Sequence, residues 1–196
     1  MRKCLIVLFF VFLSGCMAWI AADGPFKGDG YAFDLPKGWM YKWTLTGRTV
    51  DITKDGELLQ DIHASVWDIK KYKEDDKKIV KKGMLPQEVA QVAIDRLSSN
   101  KQFAQFTVLQ NEPAQLAGRD GYKLVCSYRM DKVRYKSVLY GMLNGETLYR
   151  ISYTAPVRYY FDRDAAAFEN IVKTFRLAER MPESSGSNIV GVDTGL

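Results

Sequence analysis

The chain has 196 residues with 28 basic and 23 acidic side chains and one histidine, so its net charge is only +5 at neutral pH. So mild an excess does not imply a nucleic-acid partner. With 47% hydrophobic and 13% aromatic residues, the chain is long and apolar enough for one domain with a substantial core.

Arg2 and Lys3 form a short positive segment ahead of Leu5 to Leu13, an unbroken run of large apolar residues with the build of a secretory signal. The run breaks at Leu13-Ser14-Gly15-Cys16, which resembles the lipobox of bacterial lipoproteins, where small residues admit the peptidase and the cysteine thiol takes diacylglycerol. The resemblance implies a signal peptide over residues 1–15, lipid on Cys16 and a tether over 16–27. Several acyl chains anchor stably where a single one does not, and Trp19 and Ile20 are then expected close to the headgroups. Met17 stands where an inner-membrane lipoprotein carries aspartate, so the expected address in a source with two membranes is the outer membrane, facing the periplasm. The alternative is an uncleaved anchor, because Met17 to Ala22 carries apolar character on to Asp23 and toward the ~20 residues of a spanning helix.

Cleavage before Cys16 leaves 26 basic against 23 acidic side chains, a net charge of +3. Of three cysteines, Cys4 departs with the signal and Cys16 is consumed by lipid, so Cys126 remains alone and no intramolecular disulfide forms. Cys126 alternates with Tyr122, Leu124, Tyr128 and Met130 on the apolar face of a strand-like run, where a free cysteine behaves as a small hydrophobe.

Past the tether, Tyr31, Phe33 and Leu35 alternate with Ala32 and Asp34, a strand ended by Pro36. Residues 40–45 and 48–53 read as extended, Asp55-Gly56 signals a tight hairpin, and a longer strand is expected over Leu58 to Ile69. Lys70 to Gly83 carries Lys70, Lys71, Lys73, Lys77, Lys78, Lys81 and Lys82 around three acidic residues and reads as a solvated, mobile loop. Pro86, Gln87 and Glu88 open a helix whose apolar positions are Val89, Val92, Ala93 and Leu97. Residues 103–116 have strand content that Glu112-Pro113 interrupts, and Gly118 to Gly121 is a turn. Tyr122–Met130, Val133–Leu143 and Thr147–Thr154 then form an antiparallel meander, with Asn144-Gly145 suited to a type I′ turn. Val138 to Leu143 is apolar on both faces, as in a strand covered on both sides. A last helix over about 163–175 has Asp162 and Asp164 at its start as capping residues and a stripe of Ala165, Phe168, Ile171, Val172 and Phe175. Residues 179–196 read as a flexible tail.

Four segments come in an order that resembles PsbP-like domains. They are Phe33-Asp34-Leu35-Pro36-Lys37-Gly38-Trp39, Ala117-Gly118-Arg119-Asp120-Gly121-Tyr122, Leu148-Tyr149 to Thr154-Ala155-Pro156, and Phe168-Glu169-Asn170-Ile171-Val172-Lys173-Thr174-Phe175. That superfamily includes an extrinsic photosystem II subunit, DcrB-type bacterial lipoproteins and a Ran-binding nuclear transport factor. The resemblance covers residues 28–178 and implies an α+β fold, an α/β/α sandwich around a central antiparallel sheet, with non-enzymatic adaptor or accessory roles. Fold alone does not fix function.

With His63 as the one histidine, any triad would be built around it; it alternates with Asp61, Ser65 and Trp67 on the polar side of its strand. His63 and Cys126 make no zinc site, and the chain has no phosphate loop and no HExxH, GxSxG or CxxC motif, so neither catalytic residues, a metal nor a cofactor is expected. The expected role is a membrane-tethered, non-catalytic binding or accessory module with an envelope protein partner. The lysine segment and Arg158-Tyr159-Tyr160 are the candidate contact residues. Packing beneath the last helix is the other reading of Tyr159 to Phe161, and a solvated loop that of the lysines. A carrier of a small apolar ligand and a hydrolase around His63 stay open as alternatives. Mass spectrometry of the membrane-extracted protein should find an acylated N-terminus at Cys16; an intact Met1 would reject the lipobox.

Overall fold

The computed structural model describes residues 19–44, 48–71 and 79–178. Cys16, Lys73, Lys77, Lys78 and the tail from residue 179 lie outside the described residues. The elements are β1 (Ile20–Ala21), β2 (Pro25–Lys27), β3 (Tyr31–Asp34), β4 (Met40–Trp43), β5 (Thr49–Thr53), β6 (Asp61–Asp68), α1 (Pro86–Ser98), β7 (Ala104–Leu116), β8 (Arg119–Met130), β9 (Val133–Asn144), β10 (Thr147–Pro156), α2 (Tyr160–Thr174) and β11 (Arg176–Leu177). An eight-stranded antiparallel sheet runs in the order β1-β4-β5-β6-β10-β9-β8-β7, and a three-stranded sheet runs β11-β3-β2. The large sheet is two meanders, β4 to β6 and β7 to β10, joined along the β6–β10 seam where Ile151 faces Ala64.

Alternation along the strands builds two cores. Ile62, Ala64 and Val66 of β6, Ile151, Tyr153 and Ala155 of β10, and Val138, Tyr140 and Met142 of β9 meet Phe168, Ile171 and Val172 of α2 on one face. The small sheet extends that core with a ladder of rings in which Phe175 stacks on Tyr31 at 5.5 Å and Phe26 on Phe33 at 4.9 Å. On the other face Val89, Ala90 and Ala93 of α1 pack on Tyr122, Leu124, Leu139 and Leu148, with Ile69 and Val80 closing one side. β9 is buried continuously from Ser137 to Met142, as a strand covered on both faces must be.

Several local expectations are corrected. The chain enters the fold earlier than the expected tether boundary: Ile20–Ala21 and Pro25–Lys27 are strands and Phe26 is in the core. Asp55-Gly56 is not a tight hairpin. The link from β5 to β6 is longer, because Thr53 Oγ1 donates to the Gln60 carbonyl at 2.7 Å while accepting from Gly56 N–H at 3.0 Å, and Leu58 is left exposed ahead of β6. Pro113 does not interrupt β7, since β7 is the sheet edge and a missing N–H there costs no ladder bond. The β9–β10 turn is Gly145-Glu146, flanked by the pair Asn144 and Thr147. Positive φ occurs at Gly145 (63°) and not at Glu146, which departs from the expected type I′ pattern. The other two hairpins of the β7 to β10 meander, at Ala117-Gly118 and Asp131-Lys132, do have positive φ at both central residues.

Helix α1 begins as expected: Pro86 occupies its first turn and the Glu88 carboxylate accepts from Leu85 N–H at 2.7 Å. Helix α2 begins at Tyr160, earlier than expected, and Asp164 does not cap it. Asp164 is buried, accepting from Gln60 Nε2 at 2.7 Å and from Arg163 Nε at 2.7 Å, and so ties α2 to the β5–β6 link. Gly121 lies where a Cβ would stand 2.4 Å from the Gly141 carbonyl oxygen of the neighbouring strand. Because that obstacle is backbone inside a ladder, Gly121→Ala should lower stability by about 1–3 kcal/mol in urea unfolding.

Candidate functional site

Helix α1 lies over β7, β8 and β9, and the same face of β10, β6 and β5 continues beyond it. That exposed part is polar. Adjacent strands line up Asp51 with His63 and His63 with Ser152, then Ser65 with Arg150, while Thr154 faces Asp61. Between this polar surface and the C-terminal half of α1 runs a groove of about 350 Å³. Its α1 side is formed by Ala93, Arg96 and Leu97, and its floor by Leu139 and Cys126. The groove is amphipathic: apolar under the helix and polar over β6 and β10.

The polar side has three groups. His63 Nδ1 lies 2.8 Å from Asp51 Oδ1, which orients the imidazole. Asp61 sits beside them with Oδ1 buried and, among the described residues, without a hydrogen-bond partner. Burial pushes its carboxyl up to about 7, the negative charges of Asp51 and Glu57 add to the rise, and His63 and Lys42 oppose it. Asp51, Asp61 and His63 bring their ligand atoms within 4.8 Å of one another, so among the described residues they are the group that could hold a divalent cation. Counting histidines and cysteines overlooks this set, because two of its members are carboxylates brought in by strand register.

A hydroxyl group of contacts follows: Ser137 Oγ is 2.7 Å from Thr154 Oγ1 and 3.4 Å from Tyr128 OH. The third group is Ser65 and Arg150. Among the described residues Ser65 Oγ and Arg150 Nε are buried without a hydrogen-bond partner, and the Arg150 guanidinium carbon lies 5.8 Å from the Trp67 ring centre. Unmade hydrogen bonds of this kind cost about 1–3 kcal/mol each, so they are uncommon in a folded chain.

His63 with a carboxylate and nearby serines has part of a hydrolase's composition. The geometry differs: Ser152 Oγ points to the His63 backbone carbonyl at 3.5 Å, and no hydroxyl among the described residues bonds the imidazole. Cys126 is fully buried, as its alternation predicts, and burial pushes its thiol up to about 11, which leaves little thiolate at neutral pH.

The residues singled out from sequence as contact candidates are not in the groove. Lys70 and Lys82 sit at one corner of the molecule, where both pair with Glu146 at 2.6 and 3.2 Å. Ile79 and Val80 are buried next to Lys81 and Lys82, so this end of the lysine segment packs onto the body. Lys71 and Lys81 are exposed. Arg158 and Tyr159 are exposed ahead of α2, Tyr160 is half-buried and Phe161 is in the core. The Arg163 guanidinium lies over both tyrosine rings, at 5.2 and 5.1 Å. Packing beneath the helix therefore holds for Phe161 and fails for Tyr159. Of the groove residues, Asp61 and Ser65 appeared in the sequence only as the polar alternation around His63, and Arg150 and Ser152 of β10 were not singled out.

No known protein-family profile matches the sequence, and no curated protein matches it. Among solved structures the chain is similar to cyanobacterial PsbP (CyanoP) from Synechocystis sp. PCC 6803, with TM-score 0.59 and 14% identity over 81% of this chain and 94% of that one. It is also similar to LpqN, described as involved in cell envelope biogenesis of Mycobacterium tuberculosis, with TM-score 0.55 and 15% identity over 78% of this chain and 88% of that one. The Saccharomyces cerevisiae Ran-binding protein Mog1p superposes with TM-score 0.51 and 10% identity over 76% of this chain and 91% of that one. The fold is α+β and PsbP-like. At such identities the likeness is one of fold.

The raised Asp61 carboxyl has a consequence for stability. Its folded pKa lies above the ~3.9 of an unfolded aspartate, so the folded state holds the extra proton between about pH 4 and 7. This group's contribution is full below about pH 4 and is lost as pH rises through about 7. Asp61→Asn should therefore stabilise the protein by on the order of 1–3 kcal/mol at pH 8 and by much less near pH 4, read from melting curves at the two pH values.

Proposed function

We propose that this chain is a lipid-tethered, non-catalytic binding module of the bacterial cell envelope, anchored through Cys16, whose ligand enters the groove beside α1. The observation that carries the reading is the polar surface of β6 and β10 left open beyond the helix, with Ser65 Oγ and Arg150 Nε unpartnered in it. Polar groups without partners at a concave surface are the usual complement of a ligand's own polar atoms. The sequence features that support the tether are the apolar run of Leu5 to Leu13 and the Leu13 to Cys16 motif. Among the described residues no helix is long and apolar enough to cross a membrane. LpqN, a protein of similar fold, is described as involved in cell envelope biogenesis, and Mog1p, another, as a Ran-binding protein; both descriptions agree with a binding or accessory role.

A carrier of a purely apolar ligand would need a cavity with few polar groups, whereas this groove suits a ligand with a polar part. A hydrolase would need a hydroxyl held against the His63 ring, where Ser152 turns to the backbone instead. A groove of this size suits a small ligand, and the exposed Lys71, Lys81, Arg158 and Tyr159 are the surface through which an envelope protein partner would be met.

The test is a titration of the ¹⁵N-labelled, detergent-solubilised chain with a small-molecule extract of its native envelope. Amide shifts should cluster on β6, β10 and the C-terminal half of α1, and Ser152→Trp, which fills the groove, should abolish them. A serine-directed fluorophosphonate should label nothing. Shifts confined to the Lys70–Glu146 corner or to Tyr159 would reject the groove, and labelling of Ser65 or Ser152 would make the protein an enzyme.

A further inference from the structure

The N-terminal end of the described chain is not a loose linker: Trp19 leads directly into β1, which pairs with β4 through Ile20–Tyr41 and Ala21–Met40. β1 is one edge of the eight-stranded sheet. Only residues 17–19 separate Cys16 from β1. A chain reaches at most ~3.6 Å per residue, so the Cys16 and Ile20 Cα atoms stand no more than about 14 Å apart in any conformation. An acylated Cys16 sits at the glycerol level, beneath a headgroup layer roughly 6 Å deep. The leash is therefore too short to let the sheet leave the bilayer surface.

We infer that the β1–β4 edge of the large sheet is the membrane-facing surface of this protein, and that the domain stands on it in one orientation. This rests on the reading of Cys16 as the lipid-bearing residue. The edge has the chemistry of an interface. Ile20 is 46% exposed, and Trp19, Tyr41 and Trp43 are half-buried beside it, amphipathic rings of the kind that settle at headgroup level. Lys42 Nζ lies 4.7 Å from the Trp19 ring centre. The edge is also rigid from behind, because the buried Phe26 contacts Tyr41 and Trp43 with ring centres 5.1 Å away in each case. Strands are spaced ~4.8 Å apart, so β6 and the groove stand about 14 Å from the β1 edge and β7 about 34 Å from it. The groove would thus open close above the headgroups, while the long edge strand β7 points away from the membrane.

The experiment uses the full lipidated chain, with Cys126→Ala, in phosphatidylethanolamine and phosphatidylglycerol vesicles containing a headgroup nitroxide lipid. An environment-sensitive fluorophore is placed at Ile20→Cys or, on the far edge, at Gln110→Cys. The Ile20 site should lose about half of its emission or more and the Gln110 site about a tenth or less, given the two distances. Inserting about ten Gly and Ser residues between Met17 and Ala18, a leash several times longer, should reduce quenching at Ile20 while keeping it above that at Gln110. Equal quenching at both sites in an acylated chain, or stronger quenching at Gln110 than at Ile20, overturns the orientation. The mass of the same sample reports the acyl group on Cys16 separately. An unmodified Cys16 removes the anchor and the orientation together, and leaves the groove reading to its own test.

Discussion

A helix is about 10 Å wide and strands are spaced ~4.8 Å apart, so one helix can cover two or three strands and no more. This sheet has eight strands, and the disposition of everything else depends on how the two faces meet that limit. On the α2 face, helix α2 and the small β11-β3-β2 sheet share the work, and the rings of Phe26, Tyr31, Phe33 and Phe175 complete the cover. On the α1 face a single helix of 13 residues lies over β7, β8 and β9 and reaches Leu148 of β10, and among the described residues no helix lies over β5, β6 and the rest of β10. The apolar alternation follows this division: Leu124 and Leu139 sit beneath the helix, while Asp61, His63, Ser65, Arg150 and Ser152 occupy the uncovered strands.

The uncovered surface is not an ordinary solvated face. Asp61 Oδ1, Ser65 Oγ and Arg150 Nε are out of contact with solvent and, among the described residues, without partners. An isolated half-buried carboxylate beside Asp51 is held in its neutral form to higher pH, and its placement therefore destabilises the folded state at neutral pH. Folding alone gives no reason to gather these groups, and strain of this kind is where functional surfaces are commonly found.

The groove and the N-terminal edge are linked by strand order. β1, β4, β5 and β6 are consecutive neighbours, so the position of β1 relative to a bilayer sets the height of the groove above it. A ligand presented at a membrane surface and a ligand dissolved in the surrounding fluid would meet the groove differently, and the proposed lipid on Cys16 would favour the first. The lysine corner at Lys70, Lys82 and Glu146 has a more local role: Glu146, its carboxyl held low by hydrogen bonds from Lys70 and Lys82, ties the turn between β9 and β10 to both ends of the lysine segment.

Much of the architecture was legible in the residues because it is written in local periodicity. Pro86 with Glu88 marked the start of α1, the two-residue alternation of 122–154 marked the meander, and the apolar run of Val138 to Leu143 marked a strand covered on both sides. Errors arose wherever a local signal competed with a distant partner. Asp164 reads as a cap until Gln60, 104 residues away, takes its carboxylate; Pro113 reads as a break until β7 proves to be an edge; Asp55-Gly56 reads as a hairpin until Thr53 and Gln60 bond across the link. The sequence by itself determined the burial of Cys126, the two helices and the alternation that separates polar from apolar faces, because each depends on neighbours within a few residues. Only the tertiary structure decided that Asp51, His63 and Ser152, and likewise Ser65 and Arg150, lie side by side, since strand register joins residues from β5, β6 and β10 and no local pattern specifies which strands will pair.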